Sequence, residues 1–283
     1  MSTTAEPAAA RGTAELQLEL PISVEEAWEA ITDPARLGRW FGDLAGRLEP
    51  GERSRFDFGD GDFFEVETLE VEPPRRIVYQ WRFLGTGLTD RITWRVEPAD
   101  GGSRVTVTDE QPRRTDDGVK EMLEGWRDFT ERLEGHAATG ATTRYDWSRE
   151  FGGGIRLPAA PERAWDLLFA PGAAERWLPF PLEAGEAEVG DGGDPAVVHV
   201  TAVAPEPPEQ VRFQLGAEGW LRPTRVRLEL EERDGGTALS VTHLGWEEVS
   251  GDVAEAKRQR RRFAGVWVKA LKRARALAGG DPD

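Results

Sequence analysis

The sequence predicts an α+β protein of two tandem domains, each with a curved antiparallel β-sheet, two short helices and one long C-terminal helix. First, one long stretch occurs twice, as LPISVEEAWEAITDPARLGRWF from Leu20 and as LPAAPERAWDLLFAPGAAERWL from Leu157. Second, each copy is followed by segments that alternate polar and apolar residues, which is typical of half-buried strands. Third, each run of strands is followed by a long segment with apolar residues at helical spacing.

A repeat of this length is a whole domain rather than one unit of a solenoid. We therefore divide the 283 residues into a first domain over residues 14–136, a linker over 137–147 and a second domain over 148–278. Small and polar residues dominate the start of the linker, as is usual for a connection between domains. Each half is long enough to bury a core of its own.

The first copy contains clear signals for its first elements. Residues 15–20 (ELQLEL) alternate polar and apolar and predict the first strand. Ser23 is placed to cap the following helix, and Glu26 completes a capping box. Pro34 starts a second short helix that runs to Phe41, because proline is tolerated in the first turn of a helix.

The remaining elements follow the same order in both copies. In the second copy, two short helices are expected around Trp165 and Trp177. GDGD at 59–62 predicts a hairpin turn, and DGGS at 100–103 matches DGGT at 234–237. The predicted strands are 44–48, 53–58, 64–71, 77–83, 92–96 and 105–109, then 198–202, 211–215, 226–230 and 239–243, and the closing helices are 119–136 and 253–278.

Composition excludes several classes of function. The formal net charge of −16 argues against nucleic-acid binding, which requires a basic surface. No apolar run is long enough to span a membrane, and the start, MSTTAEPAAARGTAE, predicts a loose tail rather than a signal peptide. With no cysteine and three scattered histidines, neither a disulfide framework nor a metal site is expected. No motif predicts a cofactor. We expect a cytoplasmic protein of bacterial type.

Four segments carry a resemblance that extends over nearly the whole chain. In the first copy they are VEEAWEAITDPARLGRWF, EPPRRIVYQW, DGGSRVTVT and GWRDFTERL, and in the second PERAWDLLFAPGAAERWL, PEPPEQVRF, DGGTALSVTHLGW and GVWVKALKRA. In this order they resemble the helix-grip fold of the START and birch-pollen-allergen superfamily, called SRPBCC. More narrowly, they look like the branch named for activators of the ninety-kilodalton heat-shock protein ATPase. The resemblance implies two tandem helix-grip domains. The second copy departs from the first around 179–195, where it is shorter, and before its closing helix, where it is longer.

Aromatic residues are the first candidates for a binding site. The resemblance implies a cavity between the sheet and the long helix of each domain, and large aromatic side chains on inward faces suit an apolar or aromatic ligand. The alternative is that these side chains form the core, as an aromatic stripe at helical spacing usually does. The expected cavity residues are Trp28, Trp40, Tyr79, Trp81, Trp94, Trp126, Trp165, Trp177, Phe213 and Trp267.

Three polar residues are candidates for acid or base chemistry. The last strand of the first copy places Asp109 on the same face as Val107, and the last strand of the second copy places His243 at the equivalent position. Tyr79 lies on the inward face of another strand. A buried ionisable group has a shifted pKa and could act on a ligand as acid or base. The alternative is that Asp109 and His243 reach solvent at strand ends and that Tyr79 is a cavity wall.

The charge of the two closing helices differs. The second, AEAKRQRRRFAGVWVKALKRARAL, is strongly basic, whereas the first carries many carboxylates. The basic helix could dock on the acidic first domain, bind an anionic partner or present a solvated face. We expect docking, because an acidic partner is already in the chain. High salt, or reversal of Arg260–Arg262 to Glu, should then loosen the two halves, which small-angle scattering would detect.

Three functions remain open. The first is a non-enzymatic binding protein with helix-grip cavities for a small apolar or aromatic ligand. The second is a co-chaperone-like or stress-related module that binds a protein partner, as the name of the resembled branch suggests. The third is a cyclase or hydratase acting on an aromatic or polyketide-type substrate, which requires Asp109, His243 or Tyr79 to face a roomy cavity. We favour binding, because no set of residues resembles a catalytic site; neither nucleic acid nor a membrane is expected as a partner.

Overall fold

In the computed structural model of the chain, the described residues are 11–189 and 196–280. The chain divides into two compact units. The first consists of Met1–Asp57, Phe64–Arg82 and Leu88–Tyr145, and the second of Phe58–Phe63, Phe83–Gly87 and Asp146–Asp283. The second unit is thus assembled from three separate stretches of the chain. Most of the expected N-terminal tail, and part of the shortened segment expected around 179–195, lie outside the described residues.

The described part of the first repeat forms one sheet of seven strands with three helices. The strand order is β1-β7-β6-β5-β4-β3-β2, and β1 pairs antiparallel with β7 from Thr13 to Leu20. The elements are β1 (Thr13–Leu20), α1 (Val24–Thr32), α2 (Pro34–Trp40), β2 (Asp43–Ala45), β3 (Arg53–Asp57), β4 (Phe63–Glu72), β5 (Arg76–Phe83), β6 (Thr89–Ala99), β7 (Gly102–Glu110) and α3 (Asp116–Thr139).

The described part of the second repeat forms a sheet of six strands in the corresponding order, β8-β13-β12-β11-β10-β9. The elements are β8 (Glu150–Leu157), α4 (Pro161–Phe169), β9 (Gly185–Val189), β10 (Ala196–Glu206), β11 (Gln210–Ala217), β12 (Thr224–Arg233), β13 (Gly236–Leu244) and α5 (Val253–Leu277), with single 3₁₀ turns at Ala174–Arg176 and Trp246–Glu248. The predicted fold class of two antiparallel sheets, each followed by a long helix, is confirmed.

The short helices of the first repeat start where the capping residues predict. The Ser23 side chain accepts from the backbone N–H of Glu26, and the Glu26 side chain accepts from the backbone N–H of Ser23, which completes the capping box. Asp33 caps α2 by accepting from the N–H of Arg36, and Pro34 occupies the first turn. These side chains satisfy backbone donors that a helix start leaves unpaired.

The second short helix expected in the second repeat takes the form of a 3₁₀ helix rather than an α-helix. The chain there makes only the 3₁₀ turn Ala174–Arg176, and Trp177 follows it. Asp33 caps the second helix of the first repeat, and Ala170 occupies the matching position here. Neither Ala170 nor Ala173, which precedes the turn, has a side-chain oxygen to accept a backbone N–H. Gly172, at φ +76°, sits in the left-handed region just before this turn.

Each closing helix packs one face against its own sheet. Helix α3 contacts β1, and α5 contacts β8. Helix α3 begins three residues before the predicted start, because Thr115 caps it, and it continues to Thr139, within the stretch assigned to the linker. The small residues assigned to the linker by composition remain helical until Gly140, which ends the helix at φ 69°. Among the described residues, no helix is both long enough and apolar enough to cross a membrane.

Candidate functional site

Asp109 and His243 occupy equivalent places in the two sheets. Asp109 lies on β7 opposite Ile92 of β6, and His243 lies on β13 opposite Val226 of β12. Both side chains are fully buried, with 0% exposure. Their burial excludes the alternative that these residues reach solvent at strand ends.

Two neighbouring elements hold the carboxylate of Asp109. Trp126 of α3 donates its indole N–H to Oδ2 at 2.9 Å. Arg114, in the connection between β7 and α3, donates from Nη2 to Oδ1 at 2.7 Å and from Nη1 to the backbone carbonyls of Gly12 and Asp109. The Arg114 side chain is only 7% exposed. The pair is therefore a buried salt bridge, in which each charge needs its partner to offset the loss of water.

Asp90 of β6 is a second carboxyl group next to Arg114. Its Oδ2 lies 3.4 Å from Nη2 of Arg114, and its side chain is 15% exposed. Burial is the main cause that raises the pKa of Asp90 to about 6, the charge of Asp109 adds to the rise, and Arg114 opposes it. We call Asp90, Asp109 and Arg114 the first-unit polar cluster. It contains two carboxyl groups and one guanidinium.

Trp81 of β5 places a buried hydrogen-bond donor beside this cluster. Its backbone lies directly opposite Asp90 in the β5–β6 pair, so the two side chains share one face of the sheet. The Trp81 side chain is 2% exposed, and its Nε1 has no hydrogen-bond partner of standard geometry among the described residues. The Trp81 N–H is nevertheless near enough to Asp90 to act against the rise in the pKa of that carboxyl group.

His243 is held by two hydrogen bonds that fix its protonation state. Trp267 of α5 donates its indole N–H to Nδ1 at 2.9 Å, so Nδ1 carries no proton. Nε2 lies 2.8 Å from Oγ1 of Thr224, whose hydroxyl donates to the carbonyl of Leu215, so Nε2–H donates to Thr224. Burial, and secondly the positive charge of Arg260, hold the pKa of His243 well below its usual value. The imidazole is neutral and both its nitrogens are engaged.

Tyr79 is also engaged by a tryptophan. Its hydroxyl oxygen accepts the indole N–H of Trp94 at 2.9 Å. The side chain is 3% exposed, and burial raises the pKa of the phenol further above its usual value. Tyr79 is thus a neutral member of the buried aromatic group rather than a proton donor at neutral pH.

The expected cavity residues lie where each helix faces its sheet, and most of them are packed core. In the first unit, the ring of Trp81 stacks on Phe64 at 3.9 Å and on Trp126 at 5.2 Å between centroids. Trp28 and Trp165 are half-buried on α1 and α4. The buried members are Trp40, Tyr79, Trp81, Trp94, Trp126, Trp177, Phe213 and Trp267. The core alternative therefore holds for these eight, while their role toward a ligand stays a prediction.

The longer connection before α5 supplies a residue that sequence reasoning missed. Trp246, in the 3₁₀ turn after β13, is fully buried and places its ring 4.2 Å from the His243 ring. It also contacts Trp220 and Phe263 at 5.7 and 5.3 Å. The extra residues thus add an aromatic side chain to the interior of the second unit.

Arg114 and Asp90 were also missed, because each lies just outside or at the start of a regular element. An arginine that directly precedes the threonine cap of a helix, close after a strand with an inward carboxylate, is the signal that could have indicated the pair. Nothing in the sequence links Asp90 to Arg114 across the sheet.

Arg260 of α5 is not part of a solvated basic face. It is fully buried and makes a two-pronged salt bridge with Asp62, at 2.8 Å from Nη1 to Oδ1 and 2.7 Å from Nη2 to Oδ2. It also donates to the carbonyls of Asp60 and Glu150 at 2.9 and 2.7 Å. Asp60 and Asp62 belong to the GDGD turn that is part of the second unit. The broader expectation that the basic helix docks on the acidic first domain stays a prediction.

The fold and the buried tryptophan–polar pairs define the class of protein as a tandem helix-grip protein of the SRPBCC type. The family model described as "Activator of Hsp90 ATPase homolog 1-like protein" matches the chain twice, over residues 21–138 and 158–278. The chain belongs to this family, as the resemblance of its repeated segments implied. A search of the curated proteins found no match.

Solved structures include a relative that matches nearly the whole chain. DynU16, described as a protein of the dynemicin biosynthetic locus, is 32% identical, with a TM-score of 0.83 over 94% of this chain and 99% of that one. MLL2253 from Mesorhizobium loti is 22% identical over 44% of this chain and 94% of its own, with a TM-score of 0.40. SSP2350 from Staphylococcus saprophyticus is 23% identical over 46% of this chain and 94% of its own, with a TM-score of 0.41.

Proposed function

We propose that this chain is a non-enzymatic binding protein for a small apolar or aromatic ligand, and that the ligand binds in the first unit. One observation carries the choice of binding over catalysis. Each side chain expected to act as acid or base is buried and already engaged by an indole N–H, namely Asp109 by Trp126, His243 by Trp267 and Tyr79 by Trp94.

Engaged groups of this kind are poor acids and bases. A general base needs a free lone pair within hydrogen-bond reach of the proton that it removes. Each carboxylate oxygen of Asp109 already accepts a hydrogen bond and the group is fully buried, and both ring nitrogens of His243 are engaged. These contacts instead fix the orientation of the tryptophan rings that would form the wall of a binding site.

Two observations support an aromatic or apolar ligand. The first unit concentrates aromatic rings between its sheet and α3, and such rings provide flat apolar surface with specific edge and face contacts. The relative DynU16 comes from a biosynthetic locus, which supports a small organic molecule as the ligand. We further propose that the protein acts in the cytoplasm of a bacterium.

The first unit is the better candidate because its polar cluster is partly exposed, whereas His243 of the second unit is fully buried. In the second unit Trp246 covers His243, and the histidine network is closed and neutral. In the first unit the connection between β7 and α3 supplies Arg114 in place of an aromatic ring, and Asp90 is partly exposed beside it. The co-chaperone alternative is supported by the family description alone.

Native mass spectrometry of freshly purified full-length chain tests this proposal. We expect an added mass that organic extraction releases as one small apolar compound. As an independent measurement, an apolar aromatic probe such as naphthalene should quench tryptophan fluorescence saturably, with one site per chain. Absence of any co-purified compound together with linear, non-saturable quenching would contradict the proposal, and turnover of the extracted compound by the protein would replace it with the cyclase or hydratase alternative.

A further inference from the structure

The two units differ at the positions that surround their buried polar residue. Asp90 and Trp81 face each other across the β5–β6 pair, and the equivalent pair in the second unit is Thr224 and Leu215. The first unit therefore carries a carboxyl group and an indole N–H where the second carries a hydroxyl and an aliphatic side chain. Both units share one fold, so the fold itself does not require this difference.

In the second unit the hydrogen bonds of the histidine network are complete, although the buried Nε1 of the neighbouring Trp246 has no partner among the described residues. The Thr224 hydroxyl accepts from His243 and donates to the carbonyl of Leu215, while Nδ1 of His243 accepts from Trp267. Leu215 has no polar side-chain atom that needs a partner. Within this network no group lacks a partner, and the unpaired N–H of Trp246 lies near a neutral imidazole rather than a carboxyl group.

In the first unit the hydrogen bonding around the first-unit polar cluster is incomplete. The buried Nε1 of Trp81 has no partner of standard geometry among the described residues. Buried donors are nearly always paired, so an unpaired one points to a missing polar atom. Asp90 lies directly opposite Trp81 and also interacts with Arg114 at 3.4 Å and with Gln111. A carboxylate can accept about four hydrogen bonds, so Asp90 retains acceptor capacity.

Exposure shows which member of the cluster an incoming molecule meets. The side chains of Asp90, Arg114 and Asp109 are 15%, 7% and 0% exposed. Leu88, two residues before Asp90, is an exposed apolar side chain. A ligand that approaches along this edge meets an apolar surface first and the Asp90 carboxyl group next.

We infer that the first unit recognises an aromatic ring that carries a hydroxyl group, with the hydroxyl donating to Asp90 and its oxygen accepting the N–H of Trp81. This inference rests on the proposed function and narrows its ligand. A phenolic hydroxyl is both donor and acceptor, so one atom completes both unused positions. A ligand carboxylate would add a third negative group to two carboxyl groups and one guanidinium, and a protonated amine has no lone pair for Trp81.

Titration of the full-length chain with naphthol, naphthalene and naphthoate near neutral pH tests the inference. These probes share one ring system and differ in the group offered to the cluster. We expect naphthol to bind about tenfold more tightly than either other probe, since a hydrogen bond to a charged acceptor is worth about one such factor. Isothermal titration calorimetry measures the three affinities directly.

Three variants separate recognition from folding. Asp90→Asn should weaken naphthol binding about tenfold and bring the affinities of naphthol and naphthalene together. Trp81→Phe keeps the ring but removes the N–H, and should reduce the preference for naphthol without changing naphthalene binding. Asp166→Asn, an exposed site on α4, removes the same charge and should change none of the affinities.

The outcomes distinguish this inference from the function on which it rests. Saturable binding of all three probes with equal affinity, or an undiminished preference for naphthol in Asp90→Asn, overturns the inference and leaves an apolar binding protein. Failure of every probe to bind the wild-type chain overturns both. A variant that loses its near-ultraviolet circular dichroism is replaced by Asp90→Ser, for which the same loss of preference is expected.

Discussion

The indole N–H of Trp126 lies 2.9 Å from Oδ2 of Asp109, and the indole N–H of Trp267 lies 2.9 Å from Nδ1 of His243. The two units thus share one structural relationship between the closing helix and the last strand of the sheet. The acceptor differs in charge, but the donor and the distance are the same. A tryptophan that must reach a fixed acceptor has its ring orientation fixed as well.

Replacing either tryptophan by phenylalanine should leave a buried acceptor without its donor. We expect Trp126→Phe and Trp267→Phe each to lower the free energy of unfolding by about 2 kcal/mol. Urea denaturation followed by circular dichroism measures the loss. Trp28→Phe, at a half-buried position on α1, is the control. Equal losses in all three variants would show that ring volume, rather than the hydrogen bond, sets the cost.

Asp90 should make the first unit less stable as the pH rises. Its pKa in the folded chain is about 6, above the ordinary value of 3.8, so the folded state binds the proton more tightly than the unfolded state. Stability from this group is therefore present at low pH and is lost as the pH rises through about 6. Asp90→Asn should be more stable than wild type at about pH 8, by up to about 3 kcal/mol, with the difference shrinking toward about pH 4. Thermal unfolding across this range, with Asp166→Asn as control, checks the trend; a pH-independent difference would contradict it.

His243 should have the opposite effect, making the second unit more stable as the pH rises. Burial lowers its pKa well below the ordinary value of 6.5, so the unfolded chain takes up a proton that the folded chain refuses. Stability from this group is present at higher pH and falls as the pH drops below about 6.5. His243→Gln removes that dependence, so its deficit relative to wild type should narrow on acidification. Chemical denaturation at several pH values measures this, and a deficit that widens toward low pH would refute the assignment of a neutral imidazole.

Arg260 is expected to be the most costly charged side chain of α5 to replace. Removing one member of a buried ion pair typically costs roughly 3–5 kcal/mol, because the other charge stays buried. Burial already raises the pKa of Asp62, against the opposing effect of Arg260, so its carboxyl group depends on this partner. We expect Arg260→Gln to lose stability in that range, and Arg273→Gln, at an exposed position, to lose less than about 0.5 kcal/mol. Added salt should barely change the wild-type stability through this pair, since buried charges are weakly screened.

Trp246 should determine whether the second unit has room for a ligand. Trp246→Ala removes a fully buried ring and should cost about 3–5 kcal/mol. If the variant remains folded, it should gain a second saturable site for naphthalene that wild type lacks. Titration calorimetry reports the number of sites directly. Unchanged stoichiometry in a folded variant would show that neighbouring side chains collapse into the space.

Local patterns were sufficient to predict the architecture from sequence. Three patterns depend only on residues that are close in the chain: the capping box at Ser23, the period-two strands and the repeated Trp spacing. Asp109 and His243 could be placed inward because alternation along a strand fixes the face of each side chain. The short helix near Trp177 is only a 3₁₀ turn, because the apolar pattern matches its counterpart while Ala170, which aligns with Asp33, has no capping oxygen.

The partners of the buried polar residues could not be predicted from the sequence, because they come from other parts of the fold. Arg114 acts from a connection whose path depends on the start of α3, and Asp90 meets it from another strand. Asp62 and Arg260 are far apart in the chain, and the GDGD pattern indicates only a turn. Such contacts depend on how elements pack, which residue periodicity does not encode.

The second unit is built from three stretches of the chain, and this has a consequence for synthesis. Gly61, at φ +105°, lies so close to α5 that an added Cβ would come within 2.5 Å of the Ala264 Cβ, so this turn and this helix fit each other closely. A ribosome releases the turn long before it makes the helix. The second half of the gene, translated alone, would therefore yield an α5 whose buried Arg260 lacks its partner Asp62. A cut between the two repeats would not give two independent proteins.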